Sequence, residues 1–106
     1  MLFRSVLRVR ELVPGDAVER ELALISVSAQ PDRRAELMAL ADVFNARVAD
    51  VGPDAIVFEV VGETEELDSF EELVRPHGIR EMARTGRVGL ARASVRRERR
   101  PQHVLR

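Results

Sequence analysis

"RAELMALADVFNARVADVGPDAIVFEVVG", residues 34–62, changes its hydrophobic period halfway along, and that change decides the fold. In its first part Leu37, Leu40, Ala41 and Phe44 recur at helical spacing, with Met38 widening the stripe, so a helix is expected there. Asn45 stops it. Residues 46–51 and 54–61 then read as two strands joined by Gly52-Pro53 in a tight hairpin. The second strand is rich in β-branched and aromatic residues, with Ile56, Phe58 and Val60 on one face.

Upstream, "ELALISVS" at residues 21–28 reads as a central strand that is apolar on both faces. Pro31 supplies a first helical turn, and Asp32 lies near the positive end of the helix dipole. Downstream, Gly62 releases the chain. Thr64 is expected to cap a second helix, with Glu65 and Glu66 in its first turn and Leu67, Phe70 and Val74 as its apolar stripe. Pro76 and Gly78 close that helix. Residues 79–83 and 88–91 read as strand on either side of Arg84-Thr85-Gly86-Arg87.

The outer segments are plainer. Residues 6–13 alternate like a strand, Pro14-Gly15 ends it, and Asp16 is expected to cap one short turn over residues 17–20. From Ser94 onward Arg96, Arg97, Arg99, Arg100 and Arg106 form a basic, proline-interrupted tail that reads as disordered.

The core order is strand-helix-strand-strand-helix-strand, preceded by an extra strand. This predicts an α+β, ferredoxin-like two-layer sandwich (β-α-β-β-α-β), its antiparallel sheet carrying two helices on one face. Leu22 and Leu24 oppose Ala23, Ile25 and Val27, while Val57 and Val61 oppose Ile56, Phe58 and Val60. One helical layer cannot cover both faces. Protein is therefore expected on the open face, a second copy or a neighbouring domain.

The 106 residues suit one small domain. The 17 basic side chains are all arginine, and with 18 acidic ones they leave a net charge of -1, which argues against a surface built wholly for nucleic acid. The absence of cysteine removes disulfides, thiolate chemistry and cysteine metal sites. No window reaches the length of a membrane span or a secretory signal core, so a cytoplasmic location is the default.

Candidate sites each have a bland alternative. His77, in the Pro-His-Gly stop, reads as a loop or capping residue before a catalytic base, and His103 lies in the tail. Glu63, Glu65, Glu66, Asp68, Glu71 and Glu72 read as a solvated helix face before a metal cluster. Gly86-Arg87-Val88-Gly89 lacks the strand-turn-helix setting of a phosphate loop, and a β-turn with Thr85-Gly86 at its corner is the simpler reading. The functional alternative has Arg84 and Arg87 projecting toward a partner's carboxylates or an anion. The arginine tail could meet phosphates, but no Trp or Tyr is present to stack on bases. No catalytic constellation and no site for a metal or cofactor emerges.

The stretches "VERELALISVSA", "RAELMALADVFNARVADVGPDAIVFEVVG" and "LVRPHGIREMARTGRVGLAR" are similar to the last part of the small, regulatory subunits of acetolactate synthase. The likeness runs collinearly from Val6 to Arg92. It implies that residues 1–19 hold the remnant of the last strand of an N-terminal amino-acid-binding (ACT) domain plus a linker. Residues 20–92 would be the C-terminal domain and residues 93–106 a departure from the family. It also implies a non-catalytic role beside a large subunit. That subunit, with thiamine diphosphate, magnesium and FAD, condenses pyruvate with pyruvate or 2-oxobutyrate on the way to valine, leucine and isoleucine. The small subunit raises that activity and confers feedback inhibition by valine. The family's valine pocket lies between two copies of the first domain, so no effector residue is carried over and valine binding is not expected here.

The second domain is expected to dimerise and to support assembly with the large subunit. Leu22, Leu24 and Val57 are the interface candidates on the sheet. Ile79, Met82 and Val88 would serve the sheet with Arg84, Thr85, Gly86 and Arg87 as its rim and Arg75 beside it. A stand-alone amino-acid-sensing or dimerisation module of the same fold is the alternative, and a nucleic-acid binder acting through the tail is a third.

Overall fold

The computed structural model of the chain describes residues 15–94. The strand expected over residues 6–13 and all but the start of the arginine tail, His103 included, lie outside them. The described residues divide into two compact units, residues 20–87 and a smaller one of residues 15–19 with 88–94.

The larger unit follows the expected order. β1 (Ala17–Ser28) is its central strand, followed by a single 3-10 turn at Pro31–Arg33 and helix α1 (Arg34–Val43). Strands β2 (Arg47–Val51) and β3 (Ala55–Gly62) come next, then helix α2 (Thr64–Val74), a 3-10 turn at Arg75–His77 and β4 (Ile79–Arg84). The strands pair antiparallel in the order β2-β3-β1-β4, the ferredoxin-like α+β arrangement.

Local chemistry sets most boundaries. Asn45 ends α1 at φ 56, a left-handed conformation that asparagine tolerates, and Ala46 N–H returns to the Ala41 carbonyl at 2.8 Å. Gly52 N–H donates to the Ala55 carbonyl at 2.8 Å, closing the hairpin between β2 and β3. Arg34 donates to the carbonyls of Gly52 and Pro53, both at 2.8 Å, tying the start of α1 to that hairpin.

The cap of α2 differs from expectation. Glu63, not Thr64, is the N-cap, and its side chain and that of Glu66 form a reciprocal capping box. Thr64 is the first helical residue, which frees its hydroxyl for another task.

The inward residues of β1 and β3 pair across the ladder, Ala23 with Val60, Ile25 with Phe58 and Val27 with Ile56. They meet Leu37 and Ala41 of α1 and Leu67, Phe70 and Val74 of α2 in one buried cluster. Phe70 stands edge-on to both Phe58 and Phe44, with ring centroids 5.7 and 5.4 Å apart.

The opposite sheet face pairs Leu22 with Val61, Ser26 with Val57 and Leu24 with both Glu59 and Ala83. Leu24 is 42% and Val61 51% exposed. Serine and glutamate interleave with the apolar side chains, so this face is mixed rather than uniformly apolar.

In the smaller unit β5 (Val88–Ala91) pairs with β1. Arg92 N–H donates to the Asp16 carbonyl at 2.9 Å and its Nε to the Gly15 carbonyl at 3.1 Å. Residues 17–20 are thus strand, not the short capped turn expected from Asp16. A pairing partner some seventy residues away in sequence overrides the local Pro-Gly-Asp turn chemistry.

Candidate functional site

Glu21 is the one buried charged side chain among the described residues. It shares the inward phase of β1 with Ala23, Ile25 and Val27 and stands opposite Gly62 in the ladder. Arg84, paired with Ala23 at the end of β4, lies on the same face. Its guanidinium takes Glu21 two-handed, Nε to Oε2 at 3.0 Å and Nη2 to Oε1 at 2.9 Å.

Helix α2 completes the arrangement. Thr64, Asp68 and Glu71 follow one another at roughly one-turn intervals and so share a helix face. The Thr64 hydroxyl donates to Glu21 Oε1 at 3.0 Å. Arg84 Nη1 donates to Asp68 Oδ1 at 2.8 Å and to Glu71 Oε1 at 3.3 Å. Arg75 Nη2 reaches the other oxygen of Glu71, Oε2, at 2.6 Å. Gly86 N–H gives Glu21 Oε2 a further hydrogen bond at 3.2 Å.

These contacts settle the ionisation of the pair. The Arg84 guanidinium, helped by the Thr64 hydroxyl and Gly86 N–H, pulls the Glu21 carboxyl down from 4.5 to about 2 against the opposing effect of burial. Glu21 and then Asp68 in turn hold the proton more firmly on Arg84. A carboxylate with four donors and so low a pKa is no proton acceptor near neutrality. The arrangement fastens rather than reacts: it ties β1, the end of β4 and α2 together.

The segment after β4 belongs to the same fastening. Thr85 N–H donates to the Leu22 carbonyl at 3.0 Å, and Leu22 N–H donates to the Thr85 hydroxyl at 3.1 Å. A side-chain oxygen thus takes the place of a ladder carbonyl. β4 and β5 both pair with β1 and not with each other, so residues 85–87 are a break between two strands, not a hairpin corner. Gly86 sits there at φ +84, in the region glycine favours.

The expected interface residues therefore separate. Leu22, Leu24 and Val57 lie together on the open sheet face. Ile79 and Met82 pair with Val27 and Ile25 on the helix side, Ile79 half-buried against the core and Met82 exposed at 40%. Arg84 and Arg75 spend their donors on their own chain's carboxylates. Thr85 and Gly86 are engaged through backbone and hydroxyl, and Arg87 and Val88 are exposed. His77 lies in the 3-10 turn after α2, its side chain only 5% exposed and its Nε2 3.8 Å from Glu36 Oε2. Among the described residues no three His, Asp or Glu side chains are grouped to hold a metal ion.

Glu71 corrects the reading of α2's acids as a solvated face, since its side chain is only 19% exposed, whereas Asp68 remains 61% exposed. The roles of Glu21 and Thr64 were missed as well. One signal was available: a lone carboxylate in the apolar phase of a central strand requires a partner, and Arg84 occupies the matching phase of β4.

Comparison with known proteins agrees with this architecture. The family model described as the small subunit of acetolactate synthase matches residues 20–93. The probable acetolactate synthase small subunit of Methanothermobacter thermautotrophicus is 42% identical over 91 residues, covering 85% of this chain and 54% of that protein. The acetolactate synthase small subunit of Bacillus subtilis is 41% identical over 90 residues, covering 85% and 52%. The crystal structure of the Thermotoga maritima small subunit superposes with a TM-score of 0.71 at 32% identity, covering 78% of this chain and 51% of that one. The chain thus spans about half the length of the relatives it matches. The family-model match over residues 20–93, with relatives 41–42% identical across 85% of the chain, places this chain in the family of acetolactate synthase small subunits.

Proposed function

We propose that this chain acts as a non-catalytic, regulatory component of acetolactate synthase, binding the large catalytic subunit and raising its activity. The observation that carries this is the open sheet face: in a member of this family it presents Leu22, Leu24, Val57 and Val61, with Leu24 and Val61 42% and 51% exposed. Among the serine and glutamate that share this face, these apolar side chains are best accounted for by a protein that covers them. Regulation of this kind needs no reacting group in the regulator. It needs only that the chain bind one state of the catalytic partner better than another.

On this reading thiamine diphosphate, magnesium and FAD belong to the large subunit, and valine control acts through the same assembly. The cytoplasm is its proposed location. No helix among the described residues is long and apolar enough to cross a membrane.

Mixing the chain with the large subunit of the same organism tests the proposal. Co-migration in gel filtration together with higher turnover is expected, and Leu24→Lys should reduce both while leaving the circular dichroism of the chain unchanged. A folded chain that neither co-migrates nor changes turnover would overturn it.

A further inference from the structure

Glu59 is the odd side chain of the open face. On β3 it stands between Val57 and Val61 in the outward phase, directly across from Leu24 on β1 and from Arg47 on β2. It is half-buried. Its carboxylate makes no hydrogen bond or ion pair among the described residues, Arg47 included. On the other face Glu21 has four donors, from Arg84, Thr64 and Gly86.

Water solvates a bare carboxylate on an open face at little cost. Under a covering protein that water is lost, and burial is then unfavourable unless a cation takes its place. The other charges of this face do not supply one. Asp50, across from Val57, and Glu81, across from Ser26, are acidic as well. Arg20, in the same phase beyond Leu22, is already engaged, and Arg80 donates to Ser28 and lies 3.5 Å from Asp54. A second copy laid on this face would set acid mainly against acid.

We infer that the large subunit covers this face with a basic side chain, arginine or lysine, seated against Glu59 and ringed by apolar contacts to Leu24, Val57 and Val61. The inference rests on the open-face reading proposed above and adds the charge that selects the partner. Apolar neighbours around such a pair exclude water from it. A protein without the cation is rejected, because it would leave the carboxylate buried and bare.

Titration of the full 106-residue chain into the large subunit of the same organism, read by turnover and by sedimentation velocity, tests this. The sign of one substitution decides. With a cation opposite, Glu59→Gln leaves that cation buried and unpaired, so binding should weaken roughly tenfold, and Glu59→Arg should weaken it further. With no cation opposite, Glu59→Gln relieves the cost of burying a bare charge, and binding that is unchanged or tighter overturns the inference. The urea midpoint of the chain alone should not fall with Glu59→Gln; a clear fall would give the carboxylate a structural role and overturn it too. Loss of binding with Leu24→Lys but not with Glu59→Gln overturns the charge and leaves the face assignment standing. A wild-type chain that does not bind, or binding indifferent to both changes, overturns the face assignment and the inference together. So does self-association that answers to Glu59→Gln, since a second copy would then cover the face.

Discussion

Arg84 and Glu21 face each other from neighbouring strands, and the guanidinium holds both carboxylate oxygens at 3.0 and 2.9 Å. The pair is clamped further by Thr64, Asp68 and Gly86, so it joins two strands and a helix through one charged centre. Removing either member leaves the other partly buried without its main partner, a situation more costly than losing an exposed ion pair. Glu21→Ala and Arg84→Ala should each lower the urea midpoint clearly more than Arg33→Ala, whose partner Glu36 is exposed. The double variant should fall short of the sum of the singles, because its second change removes a partner already gone. Additive losses would mean that the two side chains act independently.

Acid should expose the same pair. Because the folded-state pKa of Glu21 lies at about 2, below its ordinary 4.5, the folded form binds fewer protons than the unfolded one between those values. The stabilisation is complete above about pH 4.5 and is lost as pH falls through 4.5 toward 2. Glu21→Gln should therefore flatten the acid limb of stability against pH, measured by denaturant midpoints. An unchanged slope would assign the acid sensitivity to other carboxylates.

Phe58 and Phe70 meet edge-on at the centre of the core, both completely buried. Phe58→Ala should cost about 3–5 kcal/mol, the range for emptying an aromatic site in a packed interior. In a domain of this size that is a large share of total stability. Urea denaturation monitored by far-ultraviolet circular dichroism measures it, and a loss below about 1 kcal/mol would show that the site collapses onto the space.

Gly62 stands where an added Cβ would press on the Glu66 carboxylate. That carboxylate accepts the Glu63 N–H at 2.8 Å as half of the capping box. Gly62→Ala should displace it and cost about 0.5–2 kcal/mol through the lost cap. Glu66→Ala should cost a similar amount, and adding Gly62→Ala to it should cost little more. A full second loss in that double variant would place the effect of Gly62 elsewhere.

Much of this fold was legible along the chain because its information is local. The change from helical to alternating spacing around Asn45, the Gly52-Pro53 hairpin and the Leu67-Phe70-Val74 stripe each depend on residues a few positions apart. The same alternation separated Leu22 and Leu24 from Ala23, Ile25 and Val27, while the ladder shows that Ser26 and Glu59 share their face. The family likeness was legible for a related reason, as collinear matched stretches need no coordinates.

Pairings over long separations were decided only in three dimensions. Residues 17–20 carry turn chemistry locally, yet they form strand, residues 17–19 of it in a unit completed by residues far along the chain. Thr64 looked like a cap, but Glu63 and Glu66 serve that end and its hydroxyl goes to Glu21. Arg84 and Thr85 looked outward from a loop, whereas ladder register turns Arg84 inward and binds Thr85 to Leu22. Composition and spacing specify which faces must be buried. Which charged group meets which depends on strand register, where one residue of slip reverses every side chain, and that is set by the packed whole.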